Sequence, residues 1–191
     1  GYIQSTPLQL CMMTAQIANG GYAIKPKIIV DSNPVSYEDA KQSMESGLLF
    51  DSNSDALLDK KLFKNKKNIK IVQEAMFAST NERFGTSYKS RIDDPKYQFA
   101  GKTGTAQVKR ISKRERELDL ETSQIPYNDR DHALYVAFGP YRNPRYAVSI
   151  LIEHGGSGSS VAAPIAKKLF KKIIDRHQIR KDFNSKKYLD I

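Results

Sequence analysis

The stretch FAGKTGTAQ, residues 99–107, places an ammonium group, two hydroxyl groups and a glycine in four consecutive positions. Lys102 supplies positive charge, and the hydroxyls of Thr103 and Thr105 can donate hydrogen bonds to a carboxylate. Gly104 has no side chain, so the backbone of a ligand could lie against this segment as an added strand would. These residue types suit an anionic, extended substrate. The alternative from the residues alone is a polar edge strand that binds no ligand.

Phosphate binding is a competing interpretation of the Gly-Lys-Thr sequence. A Walker A loop follows G-x-x-x-x-G-K-[ST], and its first glycine opens the turn that wraps the phosphates. Position 96 is lysine instead of that glycine. The second glycine-rich stretch, HGGSGSS at residues 154–160, lacks the third glycine of a dinucleotide loop, because position 161 is valine. We therefore predict a strand at the first stretch and a tight strand-to-helix turn at the second.

The surrounding pattern predicts the elements that must position these residues. One helix begins after Thr6 as N-cap and stops at Asn19-Gly20-Gly21, and a second runs from about residue 68 to 80. Three strands are predicted, and an amphipathic helix with Pro164 in its first turn closes the chain, its tail fraying after Arg180. The strands are residues 97–108, 132–138 and 146–153, the last two forming an antiparallel hairpin. This order predicts an α+β fold with antiparallel strands packed against helices.

Helical spacing also predicts which side chains face the core. The predicted core face of the first helix is Leu8, Cys11, Met12, Ala15 and Ala18. One side of the second helix carries Ile69, Val72, Met76 and Ser79, and the apolar face of the last carries Ala162, Ile165, Ala166, Leu169, Phe170, Ile173 and Ile174. Residues 23–30 are predicted as an edge or irregular strand, residues 31–59 as a long connection, and residues 109–131 as a mobile loop.

The composition limits the kinds of partner that the chain can bind. The mean hydropathy of −0.56 suits a soluble chain, and no apolar window is long enough for a transmembrane helix. The net charge is +10, with lysine and arginine concentrated in residues 60–70, 109–116 and 167–187. Such clusters could bind a nucleic acid, an anionic membrane surface or an anionic polymer, but none carries a nucleic-acid motif, so we expect solvated faces and no nucleic-acid partner. The single cysteine, Cys11, is predicted to be a small core residue.

A family resemblance rests on three segments. K-T-G is the third signature of the penicillin-recognising serine acyl transferases. The opening TPLQL helix with its ANGG end, the strand FAGKTGTAQV and the segment from RDHALYVAFGPYRNPRYAVSILIEHGGSGSS into the last helix resemble class B penicillin-binding proteins. The segments RDHAL and EHGGSGSS are most similar to the elongation-type branch, penicillin-binding protein 2. The resemblance is weakest at residues 31–66 and 109–128.

The resemblance implies a partial penicillin-recognising transpeptidase fold and a parent peptidoglycan D,D-transpeptidase. That enzyme would cross-link stem peptides ending in D-Ala-D-Ala, be acylated by β-lactams and need no cofactor. It would act at the periplasmic face of the inner membrane beside a membrane glycosyltransferase of the elongation machinery. Lys102 would serve the nucleophile, and Thr103, Gly104 and Thr105 would bind the substrate with it. The backbone N–H of Thr105 would be an oxyanion-hole donor.

One departure from the family pattern is decisive for activity. No serine in the chain is followed by lysine three positions later, so the S-x-x-K nucleophile is missing. The triplet Ser79-Thr80-Asn81 fits S-x-N but stands at a helix end close to K-T-G, and we interpret it as chance. We expect residues 1–191 to be the C-terminal portion of a transpeptidase domain that is inactive alone.

Three function classes remain open from the sequence. The first is the transpeptidase portion described above. The second is a non-catalytic peptide- or cell-wall-binding module that uses the KTGT strand edge, and the third is a basic nucleic-acid-binding module. His132 and His154 have no ligand partner at metal spacing, so we predict no metal site and two hydrogen-bonded structural histidines.

Overall fold

The computed structural model describes residues 4–24, 26, 61–108, 120 and 122–187, with side chains as far as residue 176. Within these residues the order of elements is helix, helix, three strands, helix, as predicted. The elements are α1 (Pro7–Ala18), α2 (Lys66–Asn81), β1 (Ala100–Ala106), β2 (His132–Gly139), β3 (Tyr146–Ile152) and α3 (Ala163–Lys187). The predicted connection at residues 31–59 lies outside the described part, as does most of the predicted strand at residues 23–30.

The three strands form one antiparallel sheet in the order β1-β2-β3. Thr103 pairs with Tyr135, and Val136 in turn pairs with Ser149 of β3. The predicted hairpin between β2 and β3 is confirmed. Among the residues that the structure describes, β1 is hydrogen-bonded within this sheet to β2 alone, so its other edge can accept a further extended chain.

The sheet has an apolar cluster on each face, because successive side chains of a strand point to opposite sides. The first cluster joins the sheet to α3 and to the chain before β1. Its fully or nearly fully buried members are Ile92, Phe99, Ala133, Tyr135, Ala137, Ala162, Ala163, Ala166, Phe170 and Ile174. The second cluster joins the opposite face to α1 and α2 through Met76, Ala100 and Phe138, with Ile17, Ala18 and Phe77 packed around them.

Helix α1 begins and ends as its sequence predicts. Thr6 and Gln9 form a capping box, with Thr6 Oγ1 accepting from the Gln9 N–H at 3.2 Å and Gln9 Oε1 from the Thr6 N–H at 2.8 Å. Cys11 is half-buried, and its thiol donates to the Ala147 carbonyl oxygen at 3.4 Å. The prediction of a buried Leu8 is wrong, since its side chain is 56% exposed. Leu8 lies in the first turn, before the point where α1 meets β3.

Helices α2 and α3 are longer than predicted. Asn65 caps α2, and its side chain accepts from the Lys67 N–H at 2.9 Å. Along the predicted side of α2, Ile69 and Met76 are buried, whereas Val72 is exposed. A π-helical turn (Gly158–Ala162) leads into α3, which continues to Lys187 instead of ending near Arg180. The exposed Ile165 departs from the predicted apolar face of α3.

Candidate functional site

Strand β1 carries all four residues that the sequence singled out. Lys102 and Thr105 are exposed, and Thr103 and Gly104 are half-buried. The Lys102 ammonium donates to the Thr103 carbonyl oxygen at 2.9 Å and to Thr103 Oγ1 at 3.2 Å. The cation and the first hydroxyl are therefore adjacent on an edge strand, where an anionic ligand could reach both.

The sequence did not reveal that a turn after α2 also reaches this strand. Thr86 lies in that turn, and its Oγ1 is 3.1 Å from Thr103 Oγ1. Ser79, at the end of α2, has its Oγ 3.3 Å from Thr86 Oγ1. Seventeen positions separate Thr86 from Thr103, so no local pattern signals the contact. Three hydroxyl groups and one ammonium group thus form a continuous polar row beside β1.

Beneath the row, a buried hydroxyl cluster anchors the same turn. The hydroxyl of Tyr135 lies 2.9 Å from Thr80 Oγ1 and 3.0 Å from Ser87 Oγ. Burial raises the pKa of the Tyr135 phenol, and its hydrogen bonds to Ser87 and Thr80 partly offset this rise. A Cβ at Gly101 would collide with this phenol, so glycine is needed at the start of β1.

The predicted strand-to-helix turn is confirmed and packs on the sheet beside Gly104. A Cβ at Gly158 would lie 2.5 Å from the Gly104 carbonyl oxygen and would collide with the Leu134 carbonyl oxygen. Backbone therefore lies against backbone where the π-helical turn crosses β1 and β2. Glycine is required at position 158, a role that the sequence pattern alone did not identify.

Hydrogen bonds around two histidines fix the backbone near the C-terminal end of β1. The backbone N–H of His154 donates to His132 Nδ1 at 2.9 Å, and His154 Nδ1 lies 3.1 Å from the Arg130 carbonyl oxygen. Asp131 Oδ1 accepts from the Val108 N–H at 3.2 Å, at the end of β1. The prediction of two hydrogen-bonded structural histidines is confirmed. Among the described residues, no group of three His, Cys, Asp or Glu side chains is placed to hold a metal.

The described end of the 109–131 segment is folded against this region. Residues 122–131 contain two 3-10 turns, Thr122–Gln124 and Tyr127–Asp129. The Tyr127 ring packs beside the His154 ring, with 5.0 Å between the ring centroids. The expected mobility of the whole segment stays a prediction.

The triplet Ser79-Thr80-Asn81 divides between structural and site contacts. The Asn81 amide donates to the carbonyl oxygens of Phe77 and Phe99, at 3.0 and 2.9 Å, and so ties the end of α2 to the start of β1. Thr80 is buried in the hydroxyl cluster, and Ser79 joins the row beside β1. The interpretation of the match to S-x-N as chance stays a prediction.

Residues 1–171 match the family model of the penicillin-binding protein transpeptidase domain. The chain is 31% identical over 175 residues to the peptidoglycan D,D-transpeptidase MrdA of Salmonella typhimurium, covering 92% of this chain but 26% of the relative. The MrdA of Haemophilus influenzae is 31% identical over 170 residues, covering 88% of this chain and 24% of that relative. The chain therefore spans about a quarter of the length of these curated relatives.

Solved structures agree with the sequence matches. A penicillin-binding protein 2 from Helicobacter pylori, in complex with MreC, superposes with a TM-score of 0.65 at 29% identity, over 92% of this chain and 26% of that one. Pseudomonas aeruginosa penicillin-binding protein 2, in complex with WCK 5153, gives 0.62 at 33% identity, over 90% and 31%. The described helices include none whose length and apolar character would let it span a membrane. The chain belongs to the penicillin-binding protein transpeptidase family, and its similarity is to the penicillin-binding protein 2 type.

Proposed function

We propose that this chain is the C-terminal portion of the transpeptidase domain of a peptidoglycan D,D-transpeptidase, and that β1 is its substrate-binding strand. The observation that carries the proposal is the adjacent pair Lys102 and Thr103 on an open sheet edge, within a family match that covers residues 1–171. The relatives named above are peptidoglycan D,D-transpeptidases, so a stem peptide ending in D-Ala-D-Ala is the expected substrate.

Each residue of the KTGT sequence has a distinct role in the proposal. Lys102 supplies positive charge and takes part in the hydrogen bonds that serve the nucleophile. Thr103 and Thr105 bind the substrate or β-lactam carboxylate, and Gly104 leaves room for the extended peptide. A hydrogen bond to such a charged group contributes about 1.5–3 kcal/mol.

The oxyanion role of Thr105 has indirect support from the geometry of β1. The Thr103 carbonyl oxygen accepts from the Lys102 ammonium, which favours a carbonyl directed toward the open edge. In an antiparallel strand the N–H and C=O of one residue point to the same side, and the direction alternates along the strand. We therefore expect the N–H of Thr105 to face the open edge as well, where it can donate to the developing oxyanion.

The direct test is acylation of the full-length protein that contains this chain. Lys102→Ala and Thr103→Val should each lower the second-order rate of acylation by benzylpenicillin about ten- to a hundredfold, the loss expected for a hydrogen bond to a charged group. Lys168→Ala, which removes an exposed lysine from α3, is the matched control. Acylation at the unaltered rate in both site variants would remove β1 from the substrate site.

A second consequence concerns residues 1–191 alone. The nucleophile of this family lies in S-x-x-K, and no serine of this chain has that pattern. The isolated chain should therefore form no covalent adduct with benzylpenicillin, as measured by intact mass. A stoichiometric adduct would contradict the proposal that the nucleophile comes from elsewhere in the protein.

The proposed setting is the periplasmic face of the inner membrane, in the elongation machinery. A penicillin-binding protein 2 relative has been solved in complex with MreC, so a protein partner of that kind fits this chain's family. A membrane glycosyltransferase is a further expected partner. Purification of the full-length protein from membranes, followed by identification of co-purifying proteins, tests both expectations.

A non-catalytic binding module is the second candidate function, and the observation that favours it is the adjacent pair Lys102 and Thr103 on the edge strand β1. In that case β1 would hold a peptide or cell-wall polymer at its open edge without acyl transfer. The coding sequence directly upstream separates the two candidates. An S-x-x-K followed by S-x-N there supports the transpeptidase, whereas a start codon adjoining Gly1 supports the binding module.

A further inference from the structure

The turn between α2 and the 3-10 turn Tyr88–Ser90 holds Thr86 in one place against β1. The backbone N–H and the Oγ of Ser87 both donate to the Ser79 carbonyl oxygen, each at 3.0 Å. The Gly85 N–H donates to the Glu82 carbonyl oxygen at 2.8 Å, and a Cβ at Gly85 would collide with the Ser79 carbonyl oxygen. The backbone on both sides of Thr86 is therefore fixed.

The direction of the hydroxyl protons follows from counting donors. A hydroxyl group has one proton to donate and two lone pairs to accept with. Thr103 Oγ1 already accepts from the Lys102 ammonium, and either Thr103 or Thr86 can donate in the 3.1 Å contact between them. If Thr103 gives its proton to an anionic ligand, Thr86 must be the donor to Thr103. Ser79 can then donate to Thr86 across 3.3 Å.

We propose that Thr86, supported by Ser79, is a positioning residue that directs the Thr103 proton toward the carboxylate of the substrate or β-lactam. The proposal rests on the carboxylate-binding role proposed for Thr103. A row of hydroxyls that donate in the same direction strengthens each of its hydrogen bonds, so the effect is passed along to the ligand. Thr86 adds specificity for a carboxylate without contacting it.

The Thr86 hydroxyl is not what keeps the turn folded. Thr86 is exposed. The turn is held by buried hydrogen bonds that join Ser87, Thr80 and the Tyr135 phenol. Removal of the Thr86 hydroxyl leaves all of those hydrogen bonds intact. A purely structural role is therefore distinguishable from positioning by experiment.

The test compares two acylating probes in the full-length protein. Benzylpenicillin carries the free carboxylate, and its methyl ester presents the same ring system without the charge. Thr86→Val should slow acylation by benzylpenicillin about five- to tenfold, the loss of a neutral hydrogen bond that supports a charged one, and should leave the rate with the ester unchanged. Thr86→Ser, which keeps the hydroxyl, should restore the benzylpenicillin rate.

Controls separate this inference from the function on which it rests. Thr103→Val is measured with both probes: an unchanged benzylpenicillin rate there removes the carboxylate role of Thr103 itself. A slower Thr103→Val with an unchanged Thr86→Val overturns the positioning role alone. Equal slowing of both probes in Thr86→Val, or no rescue by serine, also overturns it. Thr122→Val removes a hydroxyl from another exposed threonine and should match wild type with both probes.

A second variant guards against misfolding of Thr86→Val. Ser79→Ala removes the far end of the row and leaves the Ser79 carbonyl oxygen that anchors Ser87. It should slow acylation by benzylpenicillin about twofold or more, again with no effect on the ester, because one neutral hydrogen bond behind Thr86 is lost. An unaltered ratio of the two rates in Ser79→Ala would exclude Ser79 from the row.

Discussion

At the residue scale, the hydroxyl group of Tyr135 makes two buried hydrogen bonds close to the site. The ring of Tyr135 is fully buried, and its hydroxyl contacts Thr80 and Ser87, which belong to α2 and to the following turn. A buried polar group that loses its partner retains the cost of its desolvation. The phenol therefore joins β2 to the end of α2 and to the turn that follows α2, which lie 55 and 48 positions away in the chain.

Tyr135→Phe should lower the free energy of unfolding by about 1–3 kcal/mol, because Thr80 and Ser87 each lose a buried partner. Chemical denaturation of wild type and variant measures the difference. Tyr127→Phe, a change on a 60% exposed ring, is the control and should shift stability by less than about 0.5 kcal/mol. Equal stability of Tyr135→Phe and wild type would mean that the remaining hydrogen bonds of Thr80 and Ser87, to the Met76 and Ser79 carbonyl oxygens, are sufficient.

At the scale of elements, the site depends on how the π-helical turn (Gly158–Ala162) packs on β1 and β2. A Cβ at Gly158 has no space, as the atoms it would meet are backbone oxygens of Gly104 and Leu134 that cannot rotate away. Any side chain at this position must therefore separate the turn from the sheet, next to β1.

Gly158→Ala should destabilise the protein by about 1–3 kcal/mol, the range found for overpacked sites. It should also slow β-lactam acylation of the full-length protein, since β1 has to shift beside Gly104. Gly20→Ala offers a contrast: that glycine has a positive φ of 86° but open space around it, so its cost comes from backbone strain alone and should leave acylation unaltered. Normal acylation in a folded Gly158→Ala protein would contradict the coupling.

A second link between elements joins α3 to the turn before β1. The Tyr97 hydroxyl donates to the Asp175 carboxylate, and the Lys96 ammonium lies 3.3 Å from the same oxygen. The hydrogen bond from Tyr97 comes first among the causes that lower the pKa of Asp175, followed by that from Lys96. Because the pKa of this carboxyl is lower in the folded state than in the unfolded state, its ionised form stabilises the fold at a pH above the unfolded-state pKa. That stabilisation is lost as the pH falls through the folded-state pKa.

Asp175→Asn should therefore lower the melting temperature slightly at pH 7. The difference in melting temperature between variant and wild type should vanish as the pH falls below about 4, because the carboxylate becomes protonated. The link is exposed, so a small effect is expected. Thermal melts at several pH values check this, with the exposed Glu153→Gln as a control at the end of β3. A gap that is constant with pH would show that packing, not charge, is what the substitution removes.

Sequence patterns predicted most of the elements but few of the contacts that form the site. Thr6 as N-cap, the three strands and the amphipathic start of α3 follow from local chemistry, and all are confirmed. Leu8 and Val72 are exposed because helical spacing identifies one side of a helix but not how much of that side another element covers, and the predicted burial of Leu8 is therefore wrong.

The site itself was predictable only where a motif is continuous. Lys102 and Thr103 stand together in the chain, and the structure places them together on β1. Thr86 reaches the same strand through a turn whose path depends on the buried Tyr135 cluster. No pairwise pattern in one sequence encodes a contact of that kind, because it depends on tertiary packing.

At the scale of the whole molecule, the sheet separates two apolar clusters that should contribute to stability independently. Phe170 belongs to the cluster under α3 and stacks on Phe99, with 4.9 Å between ring centroids. Met76 belongs to the cluster on the opposite face. Substitutions that share no partner add, whereas residues in contact show interaction energies of about 0.5–3 kcal/mol.

Met76→Ala combined with Phe170→Leu should therefore lower the free energy of unfolding by the sum of the two single effects, within about 0.5 kcal/mol. Phe99→Leu combined with Phe170→Leu should depart from additivity by more than that, because the two rings are each other's neighbours. Urea denaturation of the single and double variants completes both cycles. Strong coupling between Met76 and Phe170 would mean that a substitution in one cluster changes the packing of the other through the sheet. A substitution in either cluster would then also shift β1.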